Sequence, residues 1–174
     1  HFGPAHTSGD CVVFVPDEGV IFTGGIAANG YHLNLADAGA DLDNWVATLL
    51  RLGNMELRHV VPSQGLVAGP ALLDTCSSYI ETLRAQCRRE VQAGSYLSVA
   101  ALTMKVPGTE EYLQANLLPF NVRAVYRQEI MNVLDPNFAL DLPENFEIDD
   151  GGVQGNGGRI KWVWNSPRGK LEIE

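Results

Sequence analysis

Several side chains that could do chemistry lie in the first ten residues, which are rich in glycine, proline, serine, threonine and histidine. This composition predicts a loop that displays polar groups. If the chain begins at His1, its α-amino group and imidazole together could chelate copper, but no companion histidine stands at a suitable spacing. Ser8 could act as a nucleophile only beside a base, and the sequence identifies none. Neither a copper site nor a serine nucleophile is therefore expected.

Two features near the end of the chain could also be taken as functional. The glycine-rich stretch 151–158 lacks the lysine and the strand-to-helix setting of a phosphate-binding loop. Trp162 and Trp164 are two positions apart, so they lie on the same face of a strand. We therefore interpret the two tryptophans as a packing face, and we assign no phosphate site to the glycines.

Alternating and β-branched residues predict the strands that position these groups. The run from Cys11 to Val15, a turn over residues 17–19 and the run from Val20 to Thr23 predict a strand, a turn and a second strand, which Gly24 and Gly25 should end. A third strand is predicted from Leu57 to Val61. The acidic, then glycine-rich segment 135–158 predicts an extended connector, followed by a terminal β-hairpin over 159–174.

Helical periodicity is clearest in the middle of the chain. The strongest helix should run from Pro70 to Gly94, with one apolar stripe and a charged face that we interpret as solvated. That face carries Glu81, Arg84, Arg88, Arg89 and Glu90. The other predicted helices run from an Asp41 N-cap to Leu52 with a left-handed Gly53, from Leu97 to Lys105, from a Thr109 cap, and from Asn121 to Met131.

Length and composition indicate one soluble globular domain with one packed core: 174 residues, 45% hydrophobic and 19% charged. The net charge of -9 argues against nucleic acid and against anionic membranes as partners. Apolar runs are far shorter than the ~20 residues that cross a bilayer. Cys76 and Cys87 would lie ~16 Å apart along one helix, too far for a disulfide. Free thiols favour a reducing compartment, so a cytoplasmic location is expected.

The order of several short motifs resembles the second half of a metallo-β-lactamase-fold protein. These are Ala-His-Thr-Ser-Gly-Asp at 5–10, Val-Ile-Phe-Thr-Gly-Gly at 20–25, the helix around Asn44 and Trp45, and Val-Val-Pro-Ser-Gln-Gly at 60–65. The resemblance extends to about Val91, roughly half of the chain. It implies an α/β fold that is half of a four-layer αββα sandwich.

The resemblance also implies where metal ligands should lie. His6 matches a ligand histidine of the family, and Thr7, Ser8 and Asp10 match residues that order its loop. Gly25 stands where the family has an aspartate that bridges two metals, and Gln64 stands where it has a last histidine. The family's first-half motif, His-x-His-x-Asp-His, is absent from the sequence. The predicted metal ligand of this chain is therefore His6.

One imidazole is too little for a catalytic zinc, which needs three protein ligands and an open position. The missing ligands could come from a partner that supplies the first half of the fold, which would share zinc or another transition metal with His6. A further source is the loop 24–40 and the helix after it, which carry His32, Asp37, Asp41 and Asp43. Asp41 as a cap and Asp43 in a first turn already have structural explanations.

Half of a sandwich would expose an apolar face and an edge of its sheet, so a partner chain, a fragment of the same precursor or a second copy should cover it. Two functions remain open. One is a component of a hydrolase that uses metal-activated water on an ester, lactone, amide or thioester of a small molecule. The other is a pseudoenzyme subunit for assembly or regulation. Residues 1–106 form the predicted half-domain, 107–134 a helical extension, and 135–174 the connector and hairpin.

Overall fold

The computed structural model of the chain describes residues 1–134 and the backbone of two short strands, 162–166 and 169–173. Three strands and four helices make up the first part, with short 3₁₀ turns at Pro16–Glu18 and Ala115–Leu117. The strands are β1 (Val13–Val15), β2 (Val20–Ala28) and β3 (His59–Gln64). The helices are α1 (Leu42–Gly53), α2 (Ala71–Gln92), α3 (Leu97–Thr103) and α4 (Leu118–Leu134). No helix among the described residues is long and apolar enough to cross a membrane.

The last two strands, β4 (Trp162–Ser166) and β5 (Gly169–Ile173), pair antiparallel, which confirms the predicted terminal hairpin. They belong to a separate compact unit, Leu142–Glu174, whereas the first unit is His1–Asp141. The predicted connector, the packing face of Trp162 and Trp164, and the glycine-rich stretch 151–158 lie outside the described residues and side chains.

The three-stranded sheet has the order β1-β2-β3, with β1 antiparallel and β3 parallel to β2. The prediction that Gly24 and Gly25 end β2 was wrong, because the strand continues to Ala28. Gly24 has a φ of +54°, a conformation that glycine adopts without steric cost, and the pairing register with β3 shifts on either side of it. Pairing with the parallel strand β3 therefore keeps β2 extended beyond the two glycines. β3 itself extends past Pro62 to Gln64.

Three predicted helix boundaries also differ from the structure. Gly53 is the last residue of α1 and not a left-handed cap, and Asn54 ends the helix with its amide bonded to the Leu50 carbonyl at 3.2 Å. Thr109 starts no helix, and its hydroxyl instead donates backward to the Val106 carbonyl at 2.8 Å. Helix α4 begins at Leu118, ahead of the predicted Asn121.

The core lies on one face of the sheet only. Ile21 and Val60 point toward α1 and α2 and are fully buried, together with Trp45, Leu73 and Ile80 of the two helices. Trp45 also ties α1 to the sheet, since its indole N–H donates to the Ile26 carbonyl at 2.9 Å. Alternation along a strand sends every second side chain to the opposite face.

That opposite face is apolar and exposed. Val13 is 62% exposed, Phe22 is 46% exposed and Val15 is 38% exposed. Val13 pairs directly with Phe22 in the antiparallel ladder, so the two side chains form one continuous patch. The predicted exposed apolar face of a half-sandwich is thus present in the structure.

The charged face of α2 is only partly solvated, which corrects the interpretation of Arg84 and Arg88 as surface charges. Glu129 of α4 is fully buried, and its carboxylate accepts from Arg88 Nε at 2.8 Å and from Arg84 Nε at 3.4 Å. Arg84 also pairs with Asp43 of α1 at 2.6 Å. Desolvation opposes the charge on Arg84, but the two carboxylates outweigh it and raise its pKa. This network joins α1, α2 and α4.

Glu129→Gln should lower the free energy of unfolding by about 3 kcal/mol, because it leaves Arg84 and Arg88 without their buried counter-ion. Glu81→Gln is the matched control, since Glu81 is exposed on α2, the helix that carries Arg84 and Arg88. Urea unfolding of both variants measures the difference. Equal stabilities for the two variants would show that the buried carboxylate does not hold α4 in place.

Candidate functional site

The loop that carries His6 is ordered by one carboxylate. Asp10 accepts hydrogen bonds from the amides of Ala5 at 3.1 Å and Thr7 at 2.8 Å, and from the Thr7 hydroxyl at 3.0 Å. A short acidic side chain that satisfies nearby backbone amides in this way fixes a turn. The structural roles predicted for Thr7 and Asp10 are confirmed.

A second set of contacts fastens this loop to the start of α1. The side-chain amide of Asn44 donates to the carbonyls of Phe2 at 3.0 Å and Pro4 at 2.6 Å. The amide of Asp41 donates to the Ala5 carbonyl at 2.9 Å, while the Asp41 carboxylate caps the helix through the Asn44 amide at 2.9 Å. These bonds hold His6 above the first turn of α1.

His6 packs directly against Gly25, the position that matches the bridging aspartate of the family. A Cβ atom built at Gly25 would overlap His6 Nδ1 and lie 2.9 Å from Cε1 and 3.1 Å from Cγ. Real Cβ contacts are longer, so the imidazole occupies the space that any side chain at position 25 would need. His6 and a side chain at position 25 therefore exclude each other in this conformation.

The other neighbours of His6 are an aromatic ring and a more distant carboxylate. Its ring meets the Trp45 ring edge-on, with centroids 5.5 Å apart and planes at 61°. Nδ1 lies 3.9 Å from Asp10 Oδ1, too far for a hydrogen bond. The His6 side chain is 25% exposed, so one side of the ring reaches solvent.

Gln64, the other position where a ligand was expected, lies at the end of β3 opposite Ala28. Its carbonyl accepts from the Asn29 amide at 2.9 Å. Gly65 follows with a φ of +86°, and a Cβ there would overlap the Asn29 carbonyl. Two backbone segments approach each other closely at this turn. That close approach accounts for glycine at position 65, and no metal site is needed to explain it.

The four residues considered as replacement ligands each make a structural contact. Asp37 accepts from the Gly39 amide at 2.8 Å, Asp41 caps α1, and Asp43 pairs with Arg84. His32 is buried, and its Nδ1 lies 3.0 Å from the Tyr79 hydroxyl. Among residues 1–134, no three histidine, cysteine, aspartate or glutamate side chains come together in a way that could hold a metal ion.

The donor set of the described residues therefore does not fit a catalytic zinc. One imidazole, a glycine and a glutamine stand where the family resemblance implies histidine, aspartate and histidine. Zinc sites take imidazole, thiolate and carboxylate ligands, and three from the protein are the minimum for catalysis. His6 remains the one predicted ligand at this place.

Two sets of contacts were not found from sequence. One surrounds His6, and the other is a separate buried hydrogen-bonded group. Trp45 forms the wall beside His6, and Asn44 ties down its loop, although both belong to a motif that carried the resemblance. The hydrogen-bonded group of His32, Tyr79 and Asn121 had no local signal at all, since its members lie 47 and 42 positions apart.

The chain was compared with protein-family models, with curated protein sequences and with solved structures. No protein-family model and no curated protein sequence matches the chain. Among solved structures, the inverting sec-alkylsulfatase Pisa1 from Pseudomonas sp. matches with a TM-score of 0.54 and 20% identity, over 78% of this chain and 25% of that one. The metallo-β-lactamase FIM-1 from Pseudomonas aeruginosa, in its mono-zinc form, matches with a TM-score of 0.41 and 31% identity, over 47% of this chain.

A metallo-β-lactamase from Pontibacter korlensis gives a similar result, with a TM-score of 0.41 and 30% identity over 45% of this chain. The chain spans only 37–38% of the length of these two lactamases. The match to the alkylsulfatase, which has the metallo-β-lactamase fold, confirms the resemblance inferred from sequence at the level of the fold. The described residues have an α/β architecture consistent with half of that sandwich.

The mutual exclusion of His6 and a side chain at position 25 can be measured with a double-mutant cycle. Gly25→Ala should lower the free energy of unfolding by about 1–3 kcal/mol, the usual cost of overpacking, because the new methyl group displaces the imidazole. In a His6→Ala background the overlap is gone, so the same substitution should cost much less. Urea unfolding of the four proteins gives a coupling free energy of about 1 kcal/mol or more.

His59→Ala provides the control background. His59 is exposed and pairs with Val20 at the start of β2, away from Gly25. Gly25→Ala should cost the same with His59→Ala as in the wild type. A Gly25→Ala cost that is unchanged by removal of His6 would refute the packing described here.

Proposed function

We propose that the described part of this chain is a non-catalytic half of a metallo-β-lactamase-type sandwich, which contributes one helix-backed sheet to an assembly and holds no catalytic metal by itself. The observation that carries the proposal is the packing of His6 on Gly25. A side chain at position 25 would be the second ligand that the family resemblance implies beside His6, and the imidazole already fills its space.

The apolar sheet face supports the assembly role. The three strands carry no aspartate, glutamate, lysine or arginine, in a chain with 33 such residues. A neutral face with Val13, Val15 and Phe22 exposed suits burial against another apolar sheet. The partner we propose is the first half of the same fold, provided by a separate chain or by another fragment of the same precursor.

A hydrolase component is the second candidate, and the partial exposure of His6 in an ordered loop favours it. In that case other ligands, at least two, come from the partner that covers the sheet. The bond attacked would be an ester, lactone, amide or thioester. The fold similarity alone selects none of these, because one fold supports many reactions.

Zinc content separates the two candidates. We expect no stoichiometric zinc in the purified protein after dialysis against zinc and then buffer, measured by plasma mass spectrometry together with any protein that co-purifies. His6→Ala should leave that result unchanged, and so should His59→Ala, which removes an exposed imidazole. One zinc per chain that is lost in His6→Ala and kept in His59→Ala would overturn the non-catalytic role and support the hydrolase component.

A further inference from the structure

A buried hydrogen-bond relay connects the segment after β2 to α2 and α4. His32 and Asn121 are buried, with 3% and 0% of their surface exposed, and the Tyr79 hydroxyl lies between them. The hydroxyl oxygen is 3.0 Å from His32 Nδ1 and 3.2 Å from Asn121 Nδ2. The three residues come from parts of the chain that are far apart in sequence, so the relay fastens those parts together.

The far end of the relay fixes the direction of the hydrogen bonds that Asn121 makes. Asn121 Oδ1 accepts from the Leu35 amide at 2.8 Å, and Asn121 Nδ2 donates to the Leu33 carbonyl at 2.7 Å. These two backbone partners fix which atom of the amide is oxygen and which is nitrogen. Asn121 Nδ2 must therefore donate its other hydrogen to the Tyr79 oxygen.

The Tyr79 hydroxyl has one hydrogen to donate and can also accept hydrogen bonds. Because the Tyr79 oxygen accepts from Asn121, its own hydrogen is free to point to His32 Nδ1. When the Tyr79 hydroxyl donates to it, Nδ1 is unprotonated, and His32 is neutral with its hydrogen on Nε2. A hydrogen on Nδ1 would remove that acceptor, so the Tyr79 hydrogen would have to turn away from His32 inside a buried site.

No carboxylate contacts His32 among the interactions of the described residues. The titratable groups in contact with it are Tyr79 of α2 and Tyr112 of the segment before α4, whose rings meet the imidazole edge-on with centroids 5.7 Å away in each case. Asn121 of α4 is polar but carries no charge, and the backbone amide of His32 donates to the Leu113 carbonyl at 3.1 Å. A positive charge on His32 would thus be buried without a counter-ion.

We propose that this relay is an acid-sensitive latch, which holds the segment 29–40 and the start of α4 on α2 only while His32 is neutral. The relay includes neither His6 nor any residue of the exposed sheet face. The proposal therefore does not depend on whether the chain binds a metal or a covering partner. Acidification would charge His32, reverse its hydrogen bond to Tyr79 and release the contacts that Asn121 makes to Leu33 and Leu35.

The direction of the pH dependence follows from burial. Desolvation lowers the pKa of His32 below its ordinary value of 6.5. The unfolded chain therefore binds the proton before the folded chain does. The stabilisation by neutral His32 is fully present well above pH 6.5, and it is lost as the pH falls below 6.5 toward the pKa of the folded state.

The test compares the wild type with His32→Asn, in which the amide oxygen can replace Nδ1 as an acceptor without titrating. Between pH 7.5 and 5.5, the folding equilibrium constant of the wild type should fall more than that of His32→Asn, by at most about tenfold, the limit that an unfolded-state pKa of 6.5 sets. His59→Asn is the control, and it should follow the wild type because His59 is exposed. Equal pH dependence in wild type and His32→Asn would overturn the latch.

Nuclear magnetic resonance of the wild-type protein tests the same proposal if His32→Asn does not fold. The imidazole of His32 should be the Nε2–H tautomer at pH 7.5, and the amide of Leu35 should shift on acidification with the same midpoint as His32. A hydrogen on Nδ1 at pH 7.5, or a His32 pKa at or above 6.5, would overturn it.

Discussion

One-sided burial of a three-stranded sheet is the constraint on which the rest of this structure depends. Ile21 and Val60 face α1 and α2 and are fully buried, while Val13 and Phe22 pair on the opposite face and stay exposed. Since side chains alternate along a strand, a sheet with apolar residues on both faces is built to be covered on both. The described residues cover one face with helices, and the assembly proposed above covers the other.

The same architecture brings together His6 and Gly25, two positions that the sequence resemblance matches to metal ligands. Asp10, Asn44 and Asp41 hold the backbone of the loop that carries His6. Gly25 has no side chain, so the imidazole lies directly on β2. The loop is therefore ordered, while glycine and glutamine stand at positions 25 and 64, where the sequence resemblance implies aspartate and histidine.

Local sequence patterns predicted the elements whose stability is local. Gly94 ends α2 with a φ of +70°, as its position after the apolar stripe indicated, and the terminal hairpin pairs as its alternation predicted. Predictions were wrong where a distant partner decides the outcome. β2 continues through two glycines because β3 pairs with it, and Arg84 is drawn inward by Glu129, 45 positions further along the chain. The family resemblance matched His6 and Gly25 each to a metal-ligand position. That the His6 ring packs directly on Gly25 could be seen only in the structure.

The central claim is that the exposed sheet face requires a covering partner, and the solution mass of the 174-residue chain tests it most directly. Light scattering coupled to size exclusion should show the wild type associated, with itself or with a co-purifying protein, and Phe22→Lys should shift the population toward the monomer. Leu102→Lys, an equally drastic change at an exposed leucine of α3, should leave the mass unchanged. A wild-type chain that is monomeric at all concentrations and unfolds cooperatively would contradict the account.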